Sequence, residues 1–207
     1  MEIRIPNSVL HMHTFISANI SRSNLGVLRI EGPGDGEEAS LRRAITTNNH
    51  MMAIVSWHVD IDAEALTEPL HVPLADVKAV AKGAGKVDAL IRRDGNTGPV
   101  VVEAGTYRSS FTPETVSYPD WRQVIPAPTD NRVRVDAHIG MDPTYVSAIM
   151  RHAARILPPK PKKATQATHA IRLDLRDCPD GLGPIVWRAS NHHTQIDAMY
   201  VLMPVRL

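Results

Sequence analysis

Tyr118-Pro119-Asp120-Trp121-Arg122-Gln123-Val124-Ile125-Pro126 divides this chain, because two prolines bracket it and neither can stand inside a helix or a central strand. Proline has no N–H for a ladder and its ring fixes φ. The stretch therefore reads as a rigid connector. It separates an N-terminal part, residues 1 to about 126, from a C-terminal part, about 127 to 207.

Upstream, Glu2-Ile3-Arg4-Ile5 alternates polar and apolar residues as a half-buried strand does, and Pro6 ends the ladder. A helix is expected next, with Asn7 or Ser8 as its N-cap and Val9, Met12, Phe15 and Ile16 on its apolar face. Gly26–Ile30 reads as a strand, Gly32–Gly36 as a turn, and Leu41–Trp57 as two strands broken near Asn48-Asn49. The same order restarts at Leu70-His71-Val72, where Pro73 ends the strand. Ala75–Ala84 follows as a short helix with Val77, Val80, Ala81 and Ala84 inward and Gly83 or Gly85 at its C-cap. Strands are expected at Val87–Arg92, Val100–Ala104 and Tyr107–Phe111.

Downstream, Arg132–Ile139 alternates again. Asp142-Pro143 supplies an N-cap and a proline at the first helical position, and Tyr145, Val146, Ile149, Ala153 and Ile156 form an apolar helix face. Pro158-Pro159-Lys160-Pro161-Lys162-Lys163 ends that helix as a stiff basic loop, and strands are expected at His169–Leu175, Ile185–Ala189 and Ile196–Met203. Pro6, Pro73 and Pro143, one at each strand-to-helix junction, lie 67 and then 70 residues apart, which marks an internal repeat. The fold class is α+β, with three repeated β-α-β-β-β units. Each unit places one helix on one face of its strands, so neighbouring units are expected to share a curved antiparallel sheet outside and to line up helices inside.

A chain of 207 residues with 43% hydrophobic content can bury a core. It has no run of eighteen apolar residues, and Met1-Glu2-Ile3-Arg4 lacks the regions of a signal peptide, so it reads as cytoplasmic with no membrane partner. Its one cysteine, Cys178, excludes an intramolecular disulfide and a four-cysteine zinc site, and reads as a buried thiol. The net charge of +1 conceals segregation: acids dominate from Glu31 to Glu68, while Thr144 to Lys163 holds five bases and no acid. His58-Val59-Asp60-Ile61-Asp62 and Asn191-His192-His193 hold metal-ligand residue types, but neither stands in a supporting motif, and adjacent strand residues face opposite ways. No glycine-rich phosphate loop or nucleophile elbow is present. The chain reads as no enzyme, with no cofactor and no metal.

The connector resembles the one that closes the middle domain of bacterial sliding clamps, the beta subunit of DNA polymerase III, where an aromatic-Pro-Asp-aromatic-Arg-x-Val-hydrophobic-Pro run recurs. The tail Tyr200-Val201-Leu202-Met203-Pro204-Val205-Arg206-Leu207 is similar to the tail of the same family. The resemblance implies a clamp-like architecture in which each domain is two repeat units related by a pseudo-twofold, and twelve units close a ring lined by helices around duplex DNA. Residues 1–126 then resemble a complete middle domain, and 127–207 the second half of the last domain.

On that resemblance, Lys78, Lys82, Lys86, Arg151, Arg155, Lys160, Lys162 and Lys163 face double-stranded DNA without reading its sequence. The first helix contributes only His11 and His13. The family's groove for short linear motifs maps onto Leu25, Thr47, Asn49, His50, Met51, Met52, Pro126, Val201, Leu202, Met203, Pro204, Val205 and Arg206. Asn49 stands where the family usually has glycine, and Met51 where it usually has arginine.

The implied function is a processivity factor that encircles DNA and tethers a polymerase, with other motif-bearing proteins and a clamp loader as further partners. Its reduced size suits a phage or other mobile element. The alternative is a clamp-like adaptor or decoy that binds replication proteins without forming a ring. With three units in the chain and twelve in the ring, a homo-tetramer is expected, paired through its third units and closed by a twofold contact between N-terminal units.

Overall fold

The computed structural model describes residues 1–15, 25–48, 50–60, 66–95, 98–125, 141–157, 171–174 and 184–203. In the first unit, β1 (Glu2–Ile5) alternates exposed and buried residues as expected. α1 (Asn7–Leu10) runs directly into a 3-10 turn, His11–Phe15. Val9, Met12 and Phe15 are all fully buried, and their spacing of three matches the 3-10 period better than the α period. β2 (Val27–Glu31), β3 (Leu41–Thr47) and β4 (Met51–His58) complete the unit.

The second unit repeats the order as β5 (Leu70–Pro73), α2 (Leu74–Ala84), β6 (Ala89–Arg93), β7 (Val100–Ala104) and β8 (Tyr107–Phe111). In the third, the expected strand at 132–139 lies outside the described residues. α3 (Pro143–Ile156) is followed by β9 (Arg172–Asp174), β10 (Ile185–Asn191) and β11 (Ile196–Leu202). Asp142 caps α3 as its sequence predicts, accepting a hydrogen bond from the Thr144 N–H at 2.7 Å.

The first helix is capped differently from expectation. Neither Asn7 nor Ser8 caps it; Pro6 occupies the cap position without a side-chain bond. The Asn7 N–H instead donates to Asp88 at 2.9 Å, and the Asn7 amide donates to the carbonyls of Gly85 and Val87. The cap thus comes from the second unit, and the reason is strand exchange. β1 pairs with β6, Ile3 opposite Ile91, while β5 pairs with β2, Val72 opposite Leu28. Each unit lends its first strand to the other, which brings the loop before β6 beside the start of α1.

Among the described residues two sheets result, where a single continuous one was expected within the first two units. One has the order β1-β6-β7-β8 and the other β5-β2-β3-β4-β11-β10-β9. The third unit continues the sheet of the first: β4 and β11 pair antiparallel from Trp57 opposite Ile196 to Met51 opposite Leu202. Both sheets and all three helices share one apolar core. Val9, Val77, Val80, Ile149 and Ile156 point into it from the helices, and Ile3, Ile91, Val102, Val55 and Tyr200 from the strands. A second, smaller cluster lies on the opposite face of the larger sheet.

Candidate functional site

The helix layer leaves one face to solvent. On α2, Val77, Val80, Ala81 and Ala84 are buried, so residues one position on turn outward, and Lys78 and Lys82 are exposed at i,i+4. Gly85, at φ 61°, ends the helix, and exposed Lys86 follows. On α3, Ile149, His152, Ala153 and Ile156 are buried, and Arg151 and Arg155 are exposed in the same relation. The 3-10 turn carries His11 and His13, their rings 5.9 Å apart. Burial lowers the His11 pKa, and the positive charge of Arg155 lowers it further. Lysine and arginine pairs on α2 and α3 thus flank a middle that carries histidines and no lysine or arginine.

The other face carries the connector. Ile45, Met52, Ile54, Val186 and Val201 share one side of β3, β4, β10 and β11, and Trp121 packs onto them at 6% exposure, flanked by Tyr118, Ile125 and Met199. Asp120 caps the 3-10 turn Trp121–Val124. Glu31, buried at the end of β2, fixes the connector: it accepts from Trp121 Nε1 at 3.1 Å and from Arg122 at 3.0 Å, and pairs with Arg29 at 2.8 Å. The Arg122 guanidinium lies 4.3 Å from the Trp121 ring centroid, and His71 stacks on Tyr118. A buried carboxylate with three charged or polar partners is a satisfied anchor. Glu37 is paired too: Arg43 donates to it at 2.6 Å and holds its pKa down at about 2. The acid-rich segment from Glu31 therefore forms no free acidic face at these two positions.

At one end of the larger sheet, His50 before β4 stacks on Tyr145 of α3, on the helix side, at 5.9 Å and 16°, and the Met203 N–H donates to the His50 carbonyl at 3.0 Å. First and third units, joined through β4 and β11, meet here in an exposed rim.

No protein-family model and no curated protein matches the chain. Solved structures do. The H. pylori beta clamp, in complex with diflunisal, superposes with a TM-score of 0.69 at 11% identity, and the DNA polymerase III beta subunit of Thermotoga maritima with 0.63 at 13%. The DNA polymerase sliding clamp of Bacillus subtilis gives 0.59 at 14%. Each alignment covers 100% of this chain and 64 to 66% of the other.

The chain has the sliding-clamp fold.

Within that clamp fold, the structure separates the residues that sequence reasoning grouped. Lys78, Lys82, Lys86, Arg151 and Arg155 are all exposed on or beside the helix layer. Lys160, Lys162 and Lys163 lie outside the described residues, as do Asn49, Pro126, Pro204, Val205 and Arg206. Met52 and Val201 are on the outer face with Thr47, whose hydroxyl donates to the Met51 carbonyl at 3.0 Å. Met51 and Leu202 belong to the core on the helix side, because alternate residues of a strand face opposite ways, so the sheet stands between them and any outer-face ligand. Leu25 is buried; His50 and Met203 are exposed, Met203 by 45%.

Sequence reasoning placed Tyr145 only on the apolar face of α3, and missed the Glu31 anchor. The latter had a signal: Arg29 and Glu31 are oppositely charged neighbours on one face of a strand. His192 and His193 stand in the turn between β10 and β11 and not on a strand, and the Asn191 side chain accepts from the His193 N–H. A cavity of 1220 Å³ opens elsewhere, beside β1, β6 and the end of β4, where Arg4, Asp88, Arg92, Glu2 and Glu103 already pair with one another.

Proposed function

We propose that this chain is a non-catalytic processivity clamp: four copies close a ring around duplex DNA, and the outer-face rim near His50 and Met203 tethers a polymerase. The observation that carries the reading is the β4–β11 joint, which continues one sheet from the first unit into the third while keeping the helices on one side. A repeated joint of that kind curves a chain of units into an arc with an outer sheet and an inner helix layer.

Lys78, Lys82, Arg151 and Arg155 give the inner layer cations that hold phosphate without reading bases, which sliding requires. The outer rim supplies Met203, His50 and the face of Met52 and Val201 to short apolar motifs of partner proteins. No helix among the described residues is long and apolar enough to cross a membrane, which accords with work beside the replication machinery in the cytoplasm.

Twelve units are needed to surround duplex DNA in this architecture, so three per chain give a tetramer, with third units meeting across a twofold to rebuild a whole domain. Native mass spectrometry at micromolar concentration tests the count. Four chains are expected, with a dimer as the dissociation product; a stable monomer or a trimer overturns it.

A further inference from the structure

All eight methionines lie among the described residues, and two are exposed: Met203 by 45% and Met141 by 37%. Met12, Met51 and Met52 are buried, and Met1, Met150 and Met199 are half-buried. Met141 stands beside the cap of α3, whereas Met203 is fixed to the larger sheet. Its N–H bond to the His50 carbonyl adds one rung to the β4–β11 ladder beyond the pair Leu202–Met51. Leu202 faces the core, so alternation turns the Met203 side chain to the face of Val201, Met52 and Met199.

We propose that Met203 is a site of reversible oxidation by peroxides, and that its sulfoxide closes the rim to apolar partner motifs. The inference rests on the tethering surface proposed above and names a regulation of that surface. The step is a two-electron oxidation of sulfur. A lone pair of the thioether attacks one peroxide oxygen, an S–O bond forms and the O–O bond breaks. The departing hydroxide takes the proton of the transferred hydroxyl and leaves as water. Sulfur is oxidised and the peroxide is reduced.

Access selects the sulfur, because peroxide must approach along a lone pair and close packing denies that approach to Met12, Met51 and Met52. The consequence is selective too. Met51, Met52 and Met199 are built into the two apolar clusters, so oxygen added there would put a strong dipole into packed surroundings. Met203 belongs to neither cluster, and its bond to His50 is made by backbone, so its sulfoxide leaves the joint intact. What changes is the surface. A flexible apolar side chain becomes polar, and an apolar motif laid over it buries the new oxygen without a donor. The Thr47 hydroxyl, on the same face, already donates to the Met51 carbonyl. Burying such a group unpaired weakens binding by roughly ten- to a hundredfold.

The test is isothermal titration with a peptide that carries a glutamine and a Leu-Phe-like apolar pair and contains no methionine or cysteine. Binding is measured before and after graded exposure to hydrogen peroxide, which is removed before titration, and peptide mapping by mass spectrometry locates the added oxygen. Met203 should be oxidised ahead of the buried methionines, and affinity should fall by that factor in step with Met203 sulfoxide while the far-ultraviolet circular dichroism spectrum stays unchanged. Methionine sulfoxide reductases of both stereospecificities, supplied with a thiol, should restore it. Thiol alone reverses the lower oxidation states of Cys178 and not a sulfoxide, which separates the two residues. Met141→Leu should lose affinity on oxidation as the wild type does, while Met203→Leu, measured against its own untreated form, should lose none. If untreated Met203→Leu binds no peptide, the wild-type series of mapped oxidation and repair decides alone. Unchanged affinity at full oxidation of Met203 overturns the proposal, as does a loss that survives the reductases or that Met141→Leu prevents. Untreated wild-type protein that binds no peptide overturns the tethering surface itself, and its regulation with it.

Discussion

His152 on α3 accepts a hydrogen bond from the Tyr200 hydroxyl of β11 at 2.7 Å through Nδ1, while its Nε2–H donates to the Ser8 carbonyl of α1 at 2.9 Å. A carbonyl can only accept, so Nε2 carries a proton, and burial, which disfavours the imidazolium, leaves Nδ1 bare to accept from the hydroxyl. The imidazole is buried and ties the third unit to the first, and Phe15 meets it edge-on at 5.1 Å.

Acid should loosen this joint. Burial lowers the His152 pKa to about 4 from an ordinary value of 6.5. The unfolded chain then binds the proton first, so stability is complete above pH 6.5 and falls as pH drops from 6.5 to about 4. For one group with this shift the loss is roughly 3 kcal/mol. His11 and His71, also lowered by burial, act in the same direction. Urea midpoints measured across that window should fall steadily, and His152→Asn should remove the larger part of the slope at a cost in stability at every pH. A wild-type midpoint constant between pH 6.5 and 4 contradicts the neutral buried ring.

Gly83 should resist replacement although it lies inside a helix. A Cβ there would sit 2.2 Å from the Tyr107 ring. Gly83→Ala gains about 1 kcal/mol in helix propensity and loses more by displacing the ring, so net destabilisation of about 1–2 kcal/mol is expected. Thermal denaturation of the variant decides between the two terms, and a raised Tm would show that the ring moves aside freely.

Charge reversal of Lys78, Lys82, Arg151 and Arg155 together should weaken DNA association and flatten its salt dependence, because fewer phosphate contacts release fewer counterions. Arg4, 77% exposed on the opposite face of β1, is the suitable control. Arg42 and Arg43 are not: Arg42 is 1% exposed with its guanidinium on the Ala39 and Leu41 carbonyls, and Arg43 is held by Glu37. Equal effects from Arg4→Glu and from the four helix residues would remove the case for a dedicated inner face.

The units and most of their strands were legible because local rules govern them. Alternation placed β7 and β8 at their observed bounds, and Asp142-Pro143 marked the start of α3. Strand exchange was not legible, since pairing of β1 with β6 depends on contacts some ninety residues apart that no local pattern encodes. The same remoteness hid the Asp88 cap on α1 and the stacking of Tyr145 on His50. The family resemblance maps Met51 and Leu202 to the groove, whereas strand alternation sends them to the core.

A short peptide with a glutamine and a Leu-Phe-like apolar pair should bind the outer rim at micromolar affinity or weaker, as small interfaces do. Deleting Met203–Leu207 removes the exposed Met203 and its bond to the His50 carbonyl, and should abolish binding while the fold is retained. Isothermal titration of both forms checks this, and unchanged affinity in the folded truncation would place the binding surface elsewhere.

Retention on DNA tests the encircling clamp most directly. Loaded onto closed circular duplex and washed at high salt, a ring remains bound, because topology and not electrostatics holds it; after one cut linearises the DNA, it slides off. The account predicts retention before the cut and release after it. Equal dissociation from circular and linear DNA as salt rises would mean that the protein binds by charge alone, and would contradict the claim.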